Sequence, residues 1–180
     1  MPIPRSDLDF LLFDWLDLAA LCERERYAHL DSDMLTATLD AAQQIAEQHF
    51  APHAADSDAN EPRVEEGRVQ LIPQIAAALQ VYRESGFFAD EAPLEEDGLQ
   101  FPETLRRAAG ALLSAANVGT SAYPFLTKAA ANLIRSFGSA EQKARYLPSM
   151  NAGRWFGTMC LSEPHAGSSL ADLRTTATLR

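Results

Sequence analysis

Apolar residues recur at steps of three and four along most of this chain, the period of a helix with one buried face. The first stretch departs from that rule. Between Leu8 and Tyr27 the apolar residues come in blocks (Phe10-Leu11-Leu12-Phe13, Trp15-Leu16, Leu18-Ala19-Ala20-Leu21), which predicts a broken helix packed on more than one side. The next helix is cleaner. Asp31 or Ser32 can cap it, and Leu35, Leu39, Ala42, Ile45, Ala46 and Phe50 follow in register until Pro52 marks its end. From His53 to Arg68 the chain is polar and reads as surface, with a turn within Val64 to Val69.

Pro73 sits where a missing N–H costs little and starts a helix with Ile75, Leu79 and Tyr82 inward and Gly86 as its C′ residue. The Asp90 to Gln100 segment is acidic, and its cluster Glu91, Glu95, Glu96 and Asp97 reads as a solvated loop. Pro102 opens a helix with Leu105, Ala109, Leu112, Leu113 and Ala116 on one face. Another runs from about Ser121 to Phe137 with Ala129, Ala130, Leu133, Ile134 and Phe137 as its face, and Gly138 stops it. Ser139 with Gln142 forms a capping box for a helix ending before Pro148. After Gly153 the texture turns to strand: Trp155 to Leu161 is aromatic and apolar, and Thr175 to Leu179 reads as a second strand.

Composition narrows the functions. A chain of 180 residues with 47% hydrophobic residues can bury one good core. Its formal net charge of −10 excludes a nucleic-acid binder that works by displacing counterions from phosphates. It has no basic amphipathic helix for a membrane surface, no apolar run of membrane-spanning length and no secretory signal at its start, so neither nucleic acid nor membrane is an expected partner. Cys22 and Cys160 lie far apart and form no disulfide framework, and the default location is cytoplasmic.

Candidate chemistry is sparse. His49 and His53 have the i, i+4 spacing of a metal pair, but Pro52 lies between them and no third ligand is evident, so both read as surface histidines at a helix end and no metal site is assigned. The most informative run is Gly157-Thr158-Met159-Cys160-Leu161-Ser162-Glu163-Pro164-His165-Ala166-Gly167-Ser168-Ser169. A candidate strand stops at a Ser-Glu-Pro turn and opens into a small-residue loop, where backbone N–H groups can approach an anion or a cofactor ring. Glu163 invites assignment as a general base; the reading preferred is that its carboxylate accepts backbone hydrogen bonds and fixes the turn before Pro164.

That run closely resembles the signature of the acyl-CoA dehydrogenases. The resemblance extends to Ser114-Ala115-Ala116-Asn117, Tyr123-Pro124, the stretch from Phe137 to Pro148, and Gly153-Arg154-Trp155-Phe156-Gly157-Thr158. The opening Asp9 to Leu16 block is similar to the extension of a longer subgroup that includes 3-methylmercaptopropionyl-CoA dehydrogenases. The resemblance implies a mainly α fold: a helical extension over residues 1–30, an all-α N-terminal domain over 31–153, and the first strands of a β domain over 154–180. It implies FAD as cofactor and an acyl-CoA thioester as substrate, with electron-transfer flavoprotein as electron acceptor and a homo-oligomeric assembly.

Residue by residue, the resemblance sets Leu161 and Ser162 at the pyrimidine edge of the flavin and Met159 near its ring. Gly167 and Ser168 approach the pyrophosphate, Ser168 also reaching the substrate's pantetheine. The family's catalytic glutamate comes from a C-terminal helical domain, so no catalytic residue is assigned here and the chain alone is expected to be inactive. Ser169 stands where the family usually has Asp. The chain ends inside a candidate strand, which reads as a cut rather than a natural stop. The rival expectation is a free-standing helical interaction module derived from the same fold.

Overall fold

The computed structural model describes residues 3–178. The first blocks do form a broken helix. α1 (Arg5–Asp9) passes into a wide π-type turn over Phe10–Trp15, Asp17 breaks it with a left-handed φ of 48°, and 3₁₀ turns follow at Leu18–Glu23 and Glu25–Tyr27. Leu12 and Leu18 point into the core while Phe10, Trp15 and Leu16 remain exposed. Arg5 pairs with Asp9 within this segment at 2.7 Å and ties it to the next helix through Asp40 at 2.5 Å.

α2 (Ser32–Ile45) is capped by Asp31, whose carboxylate accepts the Met34 N–H at 2.8 Å. Leu35, Leu39, Ala42 and Ile45 are buried, and a π-type turn carries the same face on to Ala46 and Phe50. Pro52 does not release the chain to solvent. It sits in a 3₁₀ turn, Ala51–His53, that leads into α3 (Ala54–Ala59), so the expectation of a polar surface run from His53 onward fails at its first residue. The surface turn further on is a hairpin, β1 (Arg63–Glu65) paired antiparallel with β2 (Arg68–Gln70). Its two-residue turn, Glu66-Gly67, has φ values of 51° and 75°, the pair of positive angles that matches strand twist.

α4 (Pro73–Glu84) buries Ile75, Leu79 and Tyr82 and stops at Gly86, whose φ is 80°. α5 (Glu103–Ala116) buries Leu105, Ala109, Leu112 and Leu113 as the pattern requires. α6 (Val118–Phe137) begins at Asn117, whose side-chain oxygen accepts the Thr120 N–H at 3.0 Å. α7 (Ala140–Asn151) carries the full Ser139/Gln142 capping box. It continues through Pro148, which occupies the last turn instead of ending the helix. The fold is mainly α, with seven α-helices and one two-stranded hairpin among the described residues. None of those helices is long and apolar enough to cross a membrane.

Three apolar clusters hold the body together. One gathers Phe50, Tyr82, Phe87, Phe88, Leu112 and Leu113 where α2, α4 and α5 meet. A second joins Leu12, Leu18, Leu30, Leu35, Leu39 and Leu105, and a small third holds Ala131, Leu147 and Met150 between α6 and α7. Burial of apolar side chains on this scale is the main favourable contribution to the fold.

Helix α6 corrects the sequence pattern. Its buried face is Thr120, Ser121, Pro124, Thr127 and Ala131, whereas Leu133 and Phe137 are 62% and 84% exposed. Periodicity finds a stripe but cannot choose which of two stripes faces the body. Here the inner stripe is small and partly polar because neighbouring backbone approaches it closely: the Gly157 N–H donates to Thr127 Oγ1 at 3.1 Å. The strands expected beyond Gly153 also fail to pair. Trp155 to Leu161 is irregular, as is Thr175 to Thr178, and Leu179 lies outside the described residues. A strand is stable only beside another, and the described residues supply none there.

Candidate flavin-facing loop

The segment after α7 leaves the helical body at Gly153, whose φ is 63°; a Cβ there would come 2.5 Å from the Phe88 ring. Phe156 then returns to the body, packing edge-on against Phe88 and Tyr123 with ring centroids 5.7 and 6.2 Å apart. Gly157 lies so close to α6 that a Cβ would sit 2.5 Å from that of Ala130. These contacts fix the root of the signature run. Beyond them the chain turns outward.

All five residues expected at the cofactor lie on this outward-facing part. Met159, Leu161 and Ser162 are exposed along the approach to the turn, and Gly167 and Ser168 are exposed on the loop that follows. Around Gly167 a Cβ would meet no atom within 4 Å, so its backbone is open to a close approach.

The loop between them is built on Glu163. Its backbone pairs with Ala166 in a small bridge, N–H to O at 2.7 and 3.1 Å. Its carboxylate accepts the N–H groups of Arg174 and Thr175, at 3.0 and 2.8 Å, and the Thr175 hydroxyl. The carboxylate therefore does accept backbone hydrogen bonds, but from the far end of the loop and not within the turn at Pro164. The Thr175 hydroxyl foremost, then the Arg174 N–H, hold its pKa below the ordinary carboxylate value. Ser169 Oγ donates to Asp172 Oδ2 at 2.5 Å, so a carboxylate stands within this loop although Ser169 carries none.

A group with a depressed folded pKa stabilises above its unfolded pKa and loses that stabilisation as pH falls through the folded value. Acidification below about pH 4.5, the unperturbed value, should therefore release the Arg174 and Thr175 amides from protection, seen by hydrogen exchange, before the helical body opens. Glu163→Gln should abolish that pH dependence. Protection factors, taken relative to intrinsic exchange at each pH, that are identical at pH 3 and pH 7 in the unsubstituted chain would show that the carboxylate does not hold the loop.

His53 is the residue the sequence pattern misplaced. It is 3% exposed, and its Nε2 lies 2.8 Å from Thr120 Oγ1, joining the turn after α2 to the first turn of α6. Beside it the Asn117 amide donates to the Phe50 carbonyl at 3.2 Å. Among the described residues no three His, Cys, Asp or Glu side chains converge to hold a metal ion. Polarity and the adjacent proline pointed outward; only the crossing of α6 buries the ring.

The acidic loop is likewise not simply solvated. Asp90 is buried and meets Lys128 Nζ at 2.9 Å, with the Tyr82 hydroxyl 3.3 Å from the same ammonium. Burial raises the Asp90 carboxyl above its ordinary value, against the pull of Lys128. Glu91 pairs with Arg106, and Glu96 with Arg135 at 2.9 Å, which pins the acidic segment to α5 and α6. Lys128 and Tyr82 also border a cleft of about 440 Å³ between α5 and α6, whose apolar wall includes Leu113, Pro124, Phe125 and Ala129. No motif marks this cleft in the sequence: it forms where α5 and α6 pack side by side, with Tyr82 and Glu91 reaching it from earlier in the chain.

Residues 32–154, which span the helical body from α2 to the end of α7, match the family described as "Acyl-CoA dehydrogenase, N-terminal domain". The chain belongs to the acyl-CoA dehydrogenase family, an oxidoreductase family, and carries its N-terminal domain. It is 32% identical to the 3-methylmercaptopropionyl-CoA dehydrogenase of Ruegeria pomeroyi, over 97% of this chain and 30% of that protein. It is 26% identical to a butyryl-CoA dehydrogenase of Syntrophomonas wolfei, over 94% of this chain and 28% of that protein.

Among solved structures, a chain described with the electron transferring flavoprotein of Acidaminococcus fermentans matches with a TM-score of 0.67 at 26% identity, over 84% of this chain and 37% of that one. Butyryl-CoA dehydrogenase from Megasphaera elsdenii has the same fold, with a TM-score of 0.63 at 20% identity over 80% and 36%. The chain thus spans roughly a third of the length of the proteins it matches.

Proposed function

We propose that this chain forms the helical part and one cofactor loop of a FAD-dependent acyl-CoA dehydrogenase, which desaturates an acyl-CoA thioester between its α and β carbons. The observation that carries the reading is the Gly157–Ser169 run: rooted on α6, held by Glu163, and presenting Met159, Leu161, Ser162, Gly167 and Ser168 outward together. FAD, when bound, supplies the hydride acceptor. The loop's contribution is positioning. The Leu161 N–H and the Ser162 hydroxyl are donors suited to the electron-rich edge of a reduced flavin, and the open backbone at Gly167 and the Ser168 hydroxyl suit a pyrophosphate and a pantetheine. The α5–α6 cleft offers an apolar wall to an acyl chain.

Glu163 is not the base in this reading, because its carboxylate is engaged by Arg174 and Thr175. The proton-abstracting glutamate and most of the flavin surface come from domains that complete the protein beyond this helical part. Electron-transfer flavoprotein is the proposed acceptor, and a homo-oligomer the proposed assembly. The 180-residue chain on its own should then purify colourless and inactive. A yellow preparation with stoichiometric flavin absorbance would overturn that division of the site.

In the complete protein, Ser162→Ala should weaken flavin binding or shift its midpoint potential while leaving the helical circular dichroism unchanged. A hydroxyl hydrogen bond of this kind contributes roughly 1 kcal/mol, a factor of about five in affinity. Anaerobic bleaching of flavin absorbance by acyl-CoA is the direct test of the activity, and failure of every acyl-CoA to bleach a flavin-loaded protein would rule it out.

A further inference from the structure

The β1–β2 hairpin stands apart from the cofactor loop, and its chemistry is unused by the proposed activity. All six of its strand residues are exposed, and Val64 and Val69, 73% and 63% exposed, face each other across the pair. In a hairpin closed by a two-residue turn, the residues flanking the turn exchange backbone hydrogen bonds and the next pair does not. Glu65 and Arg68 flank the turn here, so Val64 and Val69 form the non-bonded pair. The N–H and C=O of Val64 consequently point away from β2, along the free edge of β1.

We propose that this edge pairs with β1 of a second copy of the chain, antiparallel about a two-fold axis at Val64. The charge order along the strand is what selects this partner. With Val64 opposite Val64 of the other copy, Arg63 faces the other copy's Glu65, and Glu65 faces its Arg63. Both contacts are ion pairs directly across an antiparallel ladder, the arrangement that stabilises cross-strand neighbours. The two Val64 residues exchange two backbone hydrogen bonds, and four valines line one face of the resulting four-stranded sheet. A C₂ contact requires a self-complementary patch, and Arg-Val-Glu read in opposite directions is one.

Pro62 sets the extent of the pairing. It precedes β1 and has no N–H to offer, so the ladder closes after three residues and does not run on. An interface this small belongs to the weak class, and it should respond to salt because its specificity is ionic.

The test uses charge-swapped variants in analytical ultracentrifugation. The unsubstituted chain should show a concentration-dependent dimer that weakens in 0.5 M salt. Arg63→Glu should remove it, because each contact becomes Glu against Glu. The double variant Glu65→Arg, Arg68→Glu, which preserves the ion pair within the hairpin, should also be monomeric. Mixing the two variants in equal amounts should restore a dimer, since each then supplies the charge the other lacks. A dimer untouched by Arg63→Glu, a chain monomeric at all concentrations, or a mixture that stays monomeric would overturn the proposal. Circular dichroism identical across the variants, as expected for fully exposed positions, confirms that each is folded.

Discussion

Lys128→Met is expected to destabilise the helical body by about 3–5 kcal/mol, because it leaves the Asp90 carboxylate buried without its partner. The ammonium also meets the Tyr82 hydroxyl and lies 6.0 Å from its ring centroid, so one substitution removes an ion pair, a hydrogen bond and a cation–π contact. The double variant Lys128→Met, Asp90→Leu should recover most of that loss, since removing both charges removes the desolvation cost as well. Urea unfolding of the two variants measures the difference. If the single variant unfolds within 1 kcal/mol of the unsubstituted chain, Asp90 is solvated and the buried network is not as described.

The direction with pH follows from the same network. Burial disfavours the charged lysine, yet Tyr82 and Asp90 outweigh it, and the Lys128 pKa stands above its ordinary 10.5. A raised basic group stabilises below its unfolded pKa and loses that contribution as pH rises through the folded one, so the Lys128 contribution should persist through neutral pH and be lost in strong alkali. Burial likewise pushes the Tyr82 phenol up to about 12, which keeps it a hydrogen-bond partner over the same range.

Phe88→Ala should cost about 3–5 kcal/mol, the usual range for deleting a buried aromatic ring. Its particular effect lies beyond stability. Phe88 touches Tyr82 on one side, with ring centroids at 5.0 Å, and Phe156 on the other, at 5.7 Å, and it fills the space against Gly153. Losing it removes the seat on which the cofactor loop returns to the body. Trp155 fluorescence, read in a Trp15→Phe background, should therefore report loosening of the loop at urea concentrations where the helices persist. A single coincident transition by fluorescence and circular dichroism would show instead that loop and body unfold as one unit.

Local signals were enough for most helices of this protein. Asp31, Pro73, Gly86 and the Ser139/Gln142 box each act within one turn of their own position, so their effect is readable without knowing the fold. The signature run was equally legible as a motif, and with it the family. What α6 buries was not legible. Its larger apolar residues, Leu133 and Phe137, point outward, and its small polar stripe is inward because His53 and Gly157 arrive there from distant parts of the chain.

The same reason explains the acidic loop and the loop carboxylate. Asp90 is buried only because Lys128, 38 residues later, stands beside it, and Glu163 is engaged only because Arg174 and Thr175 fold back onto it. By itself the sequence determined most of the helical segments, their capped starts and the motif they present, since caps, breakers and periodicity act over a few residues; α3 and the run of α7 through Pro148 are set by the tertiary structure. Which stripe faces the core, which charge finds a partner, and how the loop is held were decided by the tertiary structure, because burial and pairing depend on residues that the chain brings together only when folded.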